Sequence, residues 1–216
     1  MGFGLRLRGK DIAPLGRQVA SAIQKALDLT HVRPTKDDRR GYQLLYFTTP
    51  GGLSVPGESG RIPCLPIDTN PNTWLVVELR MSPGDERAGE HYIEHISIKT
   101  YFGSVEDAAL IFRAEWDPRD DEHKHAQPHW NVHELPLAEP EIPGFESFLD
   151  QEAGFSSTSR RDLTARLDRV GIHFALASTW HMKPGSNSCA LENLEQIARW
   201  VGGCCAYLRT ELASLA

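Results

Sequence analysis

Between positions 73 and 135 four runs rich in β-branched, aromatic and aliphatic residues follow one another: TWLVVELRM (73–81), HYIEHISIKTYF (91–102), AALIFRAEW (108–116) and PHWNVHEL (128–135). Breaks rich in Gly, Pro or charge separate them. A parallel pairing needs a crossover of a dozen or more residues, whereas short connections join antiparallel neighbours, so the spacing predicts a meander. A fifth run, YQLLYFTT (42–49), has the same composition and reads as another strand. PGGLSVPGESGRIP (50–63), dense in Gly and Pro, reads as a loop.

A sheet with one apolar face must be covered, and the flanks supply the cover. In residues 11–28, Ile12, Leu15, Val19, Ile23 and Leu27 fall on one face of a helix, with Asp11 as a plausible N-cap and Pro14 tolerable in the first turn. Residues 159–170 carry Leu163, Leu167 and Val170 at helical spacing behind Ser159. Residues 189–212 carry a longer seam, Leu191, Leu194, Ile197, Val201, Cys204 or Cys205, Leu208 and Leu212. Gly202 and Gly203 interrupt it, each at a cost of about 1 kcal/mol against Ala, which implies the close approach of another backbone or a kink. The expectation is an α+β fold: an antiparallel meander of about four to five strands, with N-terminal and C-terminal amphipathic helices on one face. With 216 residues the chain reads as a single domain, made of helix 11–28, sheet core 42–135, an acidic Pro-rich connection 136–154 and a helical part 159–213.

No apolar run approaches the roughly 20 residues needed to span a bilayer, and the N-terminal stretch MGFGLRLRGK has no apolar leader core, so the expected setting is soluble and cytoplasmic. Four cysteines without a CxxC pair agree with buried, reduced thiols. The preference for 17 Arg over 6 Lys hints at a bacterial source. Charge is polarised: residues 1–40 hold nine basic and four acidic side chains, residues 41–152 seven and twenty. An acidic middle repels a phosphate backbone, so a nucleic-acid role would have to use the N-terminal region or a partner. Opposite charges on one molecule suit docking or self-association.

Strand alternation sorts the candidate site. Phe112, Ala114 and Trp116 share one face with Trp130, Val132, Ile96 and Ile98. Arg113, Glu115, Asp117, His129, Asn131 and His133 then share the other, joined by His95, Ser97 and Lys99. This polar face is either the solvated side of a half-buried sheet or a site. As a site, His129 or His133 would be base and acid near neutral pH, Arg113 would hold an anion, and Glu115 or Asp117 would orient a histidine. His129 and His133 stand about 13 Å apart along one strand, so neighbouring strands must complete any such site. The tip DPRDDEHKH (117–125) offers His123, His125 and Asp121 as ligands for a divalent metal, without the spacing of an established zinc motif. Asp68 followed by Glu78-Leu79-Arg80 resembles in outline the Asp … Glu-x-Lys arrangement of one nuclease superfamily, with Arg80 where that arrangement has Lys; a plain strand is the simpler account. There is no P-loop, nucleophile elbow or dinucleotide fingerprint.

Two functions follow as expectations. The first is a non-catalytic interaction or assembly subunit, homo-oligomeric or bound to a partner protein. The second is a small histidine-dependent hydrolase or endoribonuclease-like, toxin-type enzyme on the polar face. No cofactor is required by either, and a divalent metal is optional in the second.

Overall fold

In the structure, a computed structural model, residues 5–58, 60–68, 72–85, 88–117, 129–132 and 191–213 are described, with the backbone alone for 129–132. The strands are β1 (Leu5–Arg8), β2 (Arg33–Arg39), β3 (Tyr42–Thr48), β4 (Ser54–Gly57), β5 (Gly60–Pro63), β6 (Leu65–Pro66), β7 (Thr73–Pro83), β8 (Glu90–Phe102), β9 (Ala109–Trp116) and β10 (His129–Val132). The helices are α1 (Gly9–Leu27) and α2 (Leu194–Ala213). An eight-stranded antiparallel sheet runs β10-β9-β8-β7-β3-β2, with β1 on β8 and β6 on β7, and β4 and β5 form a separate hairpin. The predicted α+β class, the antiparallel meander and the helical cover are all present, and the sheet is larger than four to five strands.

Both helices lie on one face. The α1 stripe Ile12, Leu15, Val19, Ile23 and Leu27 is buried against the seam of α2, Ile197, Val201, Cys204, Cys205, Leu208 and Leu212, and both pack on the sheet residues Leu45, Phe47, Val77, Leu79, Met81, Ile96, Ile98, Phe112, Ala114 and Trp116. Each fully buried aliphatic side chain of this kind contributes about 2 kcal/mol relative to exposure. The helices approach closely at Gly202: a Cβ placed there would meet the Ala22 Cβ at 3.0 Å. The expected close backbone contact is therefore made within the chain.

Several local readings shift. Helix α1 begins two residues earlier than expected, because β1 runs straight into it and Gly9 donates to the Gly89 carbonyl at 2.7 Å. Asp11 is thus the third helical residue rather than the N-cap, and its carboxylate accepts the Arg8 N–H at 3.2 Å. Pro14 falls inside the helix instead of in its first turn. Strands β1 and β2 have no counterpart in the sequence pattern. Strand β2 is almost wholly exposed and charged and lies at the edge of the sheet; the Arg40-Gly41 turn that returns it to β3 needs the φ of +87° at Gly41.

Two register shifts keep the long strands in phase. Arg80 pairs with His95 but Met81 pairs with Ile93, which leaves Glu94 as the extra residue on β8. Likewise Thr100 pairs with Phe112 and Tyr101 with Leu110, leaving Ile111 over on β9. Ile93 and Ile96, three apart in sequence, consequently both reach the helix-covered core. The region 159–190, including the expected helix 159–170, and the connection 136–154 lie outside the described residues.

Candidate functional site

The face away from the helices is not the open, solvated surface that polarity alone suggests. The segment read as a loop folds instead as the β4–β5 hairpin, which roofs the sheet with its own apolar cluster: Val55 and Cys64 pack with Leu44, Tyr46, Val76, Tyr101 and Ala108. Arg61 latches the roof down. It donates to the Ser54 hydroxyl at 2.9 Å and to the Ser54 carbonyl, reaches the Val105 carbonyl at 2.9 Å and pairs with Glu106 at 3.1 Å.

Between roof and sheet is a cleft of about 410 Å³. Leu44, Pro56, Ile62, Ala108 and Leu110 form its apolar wall, and Tyr42, Tyr46, Tyr101, Glu58, Glu78, Arg80, Lys99 and Arg113 supply polar groups. Residues paired across neighbouring strands share a face, so the register builds the polar floor. One row runs Tyr46, Glu78, Ser97, Glu115 and position 129; the next runs Val76, Lys99, Arg113 and position 131.

The charges on this floor interlock. Lys99 donates to Glu78 Oε2 at 3.3 Å. Arg113 pairs with Glu115 Oε2 at 2.9 Å, while the other carboxylate oxygen of Glu115 meets His95 Nε2 at 2.8 Å. Burial, reinforced by the negative charge of Glu78 and a hydrogen bond to it, holds the Tyr46 phenol well above its ordinary pKa. Burial also pushes Tyr101 up to about 12, with Glu78 and Glu58 adding to the effect. Both phenols therefore remain protonated donors through the neutral range. Arg80 differs from the other cations. Its guanidinium lies over the Tyr42 ring at 4.2 Å from the centroid and its nearest carboxylate, Glu94, is 3.6 Å away; its Nε, like that of Arg113, has no hydrogen-bond partner.

Of the residues proposed from sequence, Arg113 and Glu115 form an ion pair, and Phe112, Ala114 and Trp116 lie on the opposite, helix-covered side. Asp117 follows the end of β9. Position 129 stands opposite Glu115 in the register and position 131 opposite Arg113. The side chain of His129, and the whole of His133, His123, His125 and Asp121, lie outside the described residues. His95, a secondary member of the expected face, is the histidine that touches Glu115. The cleft brings together Tyr42, Tyr46, Tyr101 and Arg80, which no sequence pattern groups. Asp68 does not join Glu78: it receives a two-pronged contact from Arg209 of α2, at 3.1 and 2.8 Å. Among the described residues no group of three or more His, Cys, Asp and Glu is gathered to hold a metal, and no helix is long and apolar enough to cross a membrane. No protein family, no curated protein and no solved structure matches this chain.

Proposed function

We propose that the protein is a non-catalytic recognition subunit of a larger, bacterial and cytoplasmic assembly, and that it works through the cleft beneath the β4–β5 hairpin. The observation that carries this reading is the interlocking of the floor. Glu78 is engaged by Lys99, and Glu115 by both Arg113 and His95, while Tyr46 and Tyr101 are kept protonated. Such a floor offers a fixed pattern of donors rather than a free proton acceptor, and fixed patterns serve recognition. The basic first forty residues and the acidic middle add a steering field for docking, to a partner protein or to a second copy.

The test has two parts. Light scattering at low and high salt should reveal a salt-sensitive association, and a panel of esters, phosphodiesters and RNA should give no turnover. Turnover that disappears on His95→Ala would overthrow the reading.

A second reading is favoured by one contact. A carboxylate 2.8 Å from an imidazole is the arrangement that orients a histidine for acid–base work, and His129 stands at the register position beyond it. In this hydrolase or endoribonuclease-like alternative, His95 or His129 transfers the proton, Glu115 positions the imidazole and Arg113 steadies developing negative charge. Its metal-assisted form would call on His123, His125 and Asp121. Activity lost in His95→Ala and His129→Ala and reduced in Glu115→Gln would establish it; full activity in all three would dismiss it.

A further inference from the structure

The cleft's donors are not spent equally. Lys99 and Arg113 each have a carboxylate within 3.3 Å. Arg80 carries five N–H donors and makes no hydrogen bond among the described residues. Its side chain is 42% exposed at the cleft, so its terminal N–H groups are open to a ligand, while Nε is buried beside Glu94. Stacking on Tyr42 also fixes the guanidinium plane in advance, which lowers the entropy lost when a planar anion is gripped. The Tyr101 phenol nearby, protonated as described, adds a neutral donor, whereas that of Tyr46 is already engaged with Glu78. Of the acceptors, Glu78 and Glu115 face cations of the chain itself, and Glu58 is the exposed remaining carboxylate of the lining, which still holds three cations against two carboxylates. Beside this donor excess stands the apolar wall of Leu44, Ile62 and Leu110. The volume, about 410 Å³, lies in the ordinary range for a small-molecule site.

We infer that the cleft binds a small organic oxyanion, a carboxylate or phosphate carried on a compact apolar group. The anion sits on Arg80 with help from Tyr101 and Arg113, and the apolar part lies against Leu44, Ile62 and Leu110. This rests on the cleft being a recognition site and names what it recognises. A polyanion is not the ligand, because the twenty acidic residues of the middle region repel a long run of phosphates, whereas one anion meets only the local donors.

Phenyl phosphate, benzoate, inorganic phosphate, benzyl alcohol and tetramethylammonium are the probes, titrated into the full chain by calorimetry and by amide chemical shifts. Phenyl phosphate or benzoate should bind saturably and shift the amides of Gly57, Tyr101 and Leu110; whichever binds more tightly identifies phosphate or carboxylate as the natural group. Benzyl alcohol should bind at least tenfold more weakly, and inorganic phosphate, lacking the apolar part, should also be weaker. Arg80→Ala should weaken the better anion by about 10- to 100-fold, as expected for losing a hydrogen-bonded charge pair. Arg39→Ala, on the exposed edge strand, should leave it unchanged. Arg80→Lys, which keeps the charge but loses the fork, should fall between, and far-UV circular dichroism should confirm that each variant is folded. If benzyl alcohol or tetramethylammonium binds the cleft as tightly as the anions, or Arg80→Ala binds as well as the parent, the anion is refuted while the cleft remains a recognition site. If no probe shifts the cleft amides, both fall.

Discussion

Moving one methyl group across the contact between α1 and α2 would measure what the glycine at their crossing contributes. Gly202→Ala should gain about 1 kcal/mol of helix propensity. Against this, its new Cβ would stand 3.0 Å from the Ala22 Cβ and 3.4 Å from the Ala22 carbonyl oxygen. Neither atom can swing aside without moving the α1 backbone, so the overlap should cost about 1–3 kcal/mol, the usual penalty for overpacking. The net change is a loss of about 0–2 kcal/mol. Ala22→Gly alone should lose about 1 kcal/mol of propensity and a fraction more for the methyl it no longer buries. In the double variant the methyl has simply changed helices. The overlap vanishes, propensity gain and loss cancel, and stability should return to within about 0.5 kcal/mol of the parent. The cycle therefore predicts a favourable coupling of about 1–3 kcal/mol, read from urea unfolding of the four proteins at 25 °C. Strict additivity would refute the claim that the helices meet backbone to backbone at Gly202.

Three further outcomes follow from the roof and the floor. Arg61→Ala, which removes the latch, should speed hydrogen exchange at Val55 and Ile62 by tenfold or more while leaving the β7–β8 amides unchanged; equal protection would mean the apolar cluster alone holds the hairpin. Glu115→Gln strands the half-buried charge of Arg113 and should cost about 2 kcal/mol, discounted from the loss at a fully buried pair, or roughly 4–8 °C in Tm; a variant as stable as the parent would show the pair to be idle. Burial raises the folded pKa of Tyr101 from about 10 to about 12, so its contribution is complete below pH 10 and is lost as pH climbs to 12. The parent should accordingly lose more stability than Tyr101→Phe between pH 10 and 12, measured by unfolding at each pH, and parallel curves would contradict the shift.

The parts of the fold legible in the sequence are those where burial imposes a period. The α1 stripe and the α2 seam repeat every three or four residues because one face must be dry, and both are buried as their spacing predicts, although Leu191 precedes the helix, which starts at Leu194. The faces of β8 and β9 followed from alternation for the same reason. What escaped was governed by pairing at a distance. Strand β2, RPTKDDR, carries no burial pattern because an edge strand buries little; its extended form is imposed by the backbone of β3. The β4–β5 hairpin has the Gly and Pro of a loop, and only Val55 and Ile62 betray an apolar underside. The spacing of Ile93 from Ile96 breaks the two-residue period and was itself the visible trace of the bulge at Glu94. The cleft could not be read at all from neighbouring positions. Tyr42 and Arg80 meet through the β3–β7 pairing, which joins segments more than thirty residues apart and is fixed only when the sheet assembles.

The charged margin formed by β2 has a consequence for how this molecule can choose its companions. Pro34 withholds an amide, and Arg33, Lys36, Asp37, Asp38 and Arg39 stud the outer ribbon with charges of both signs. An extended peptide laid along that border would face one missing donor, at Pro34, and a charged side chain at five of the seven positions. Main-chain laddering, the usual sequence-blind source of grip for strand-shaped guests, is blunted there. Discrimination at this margin must come from individual side groups, so any companion is selected by its chemistry and not by its willingness to extend.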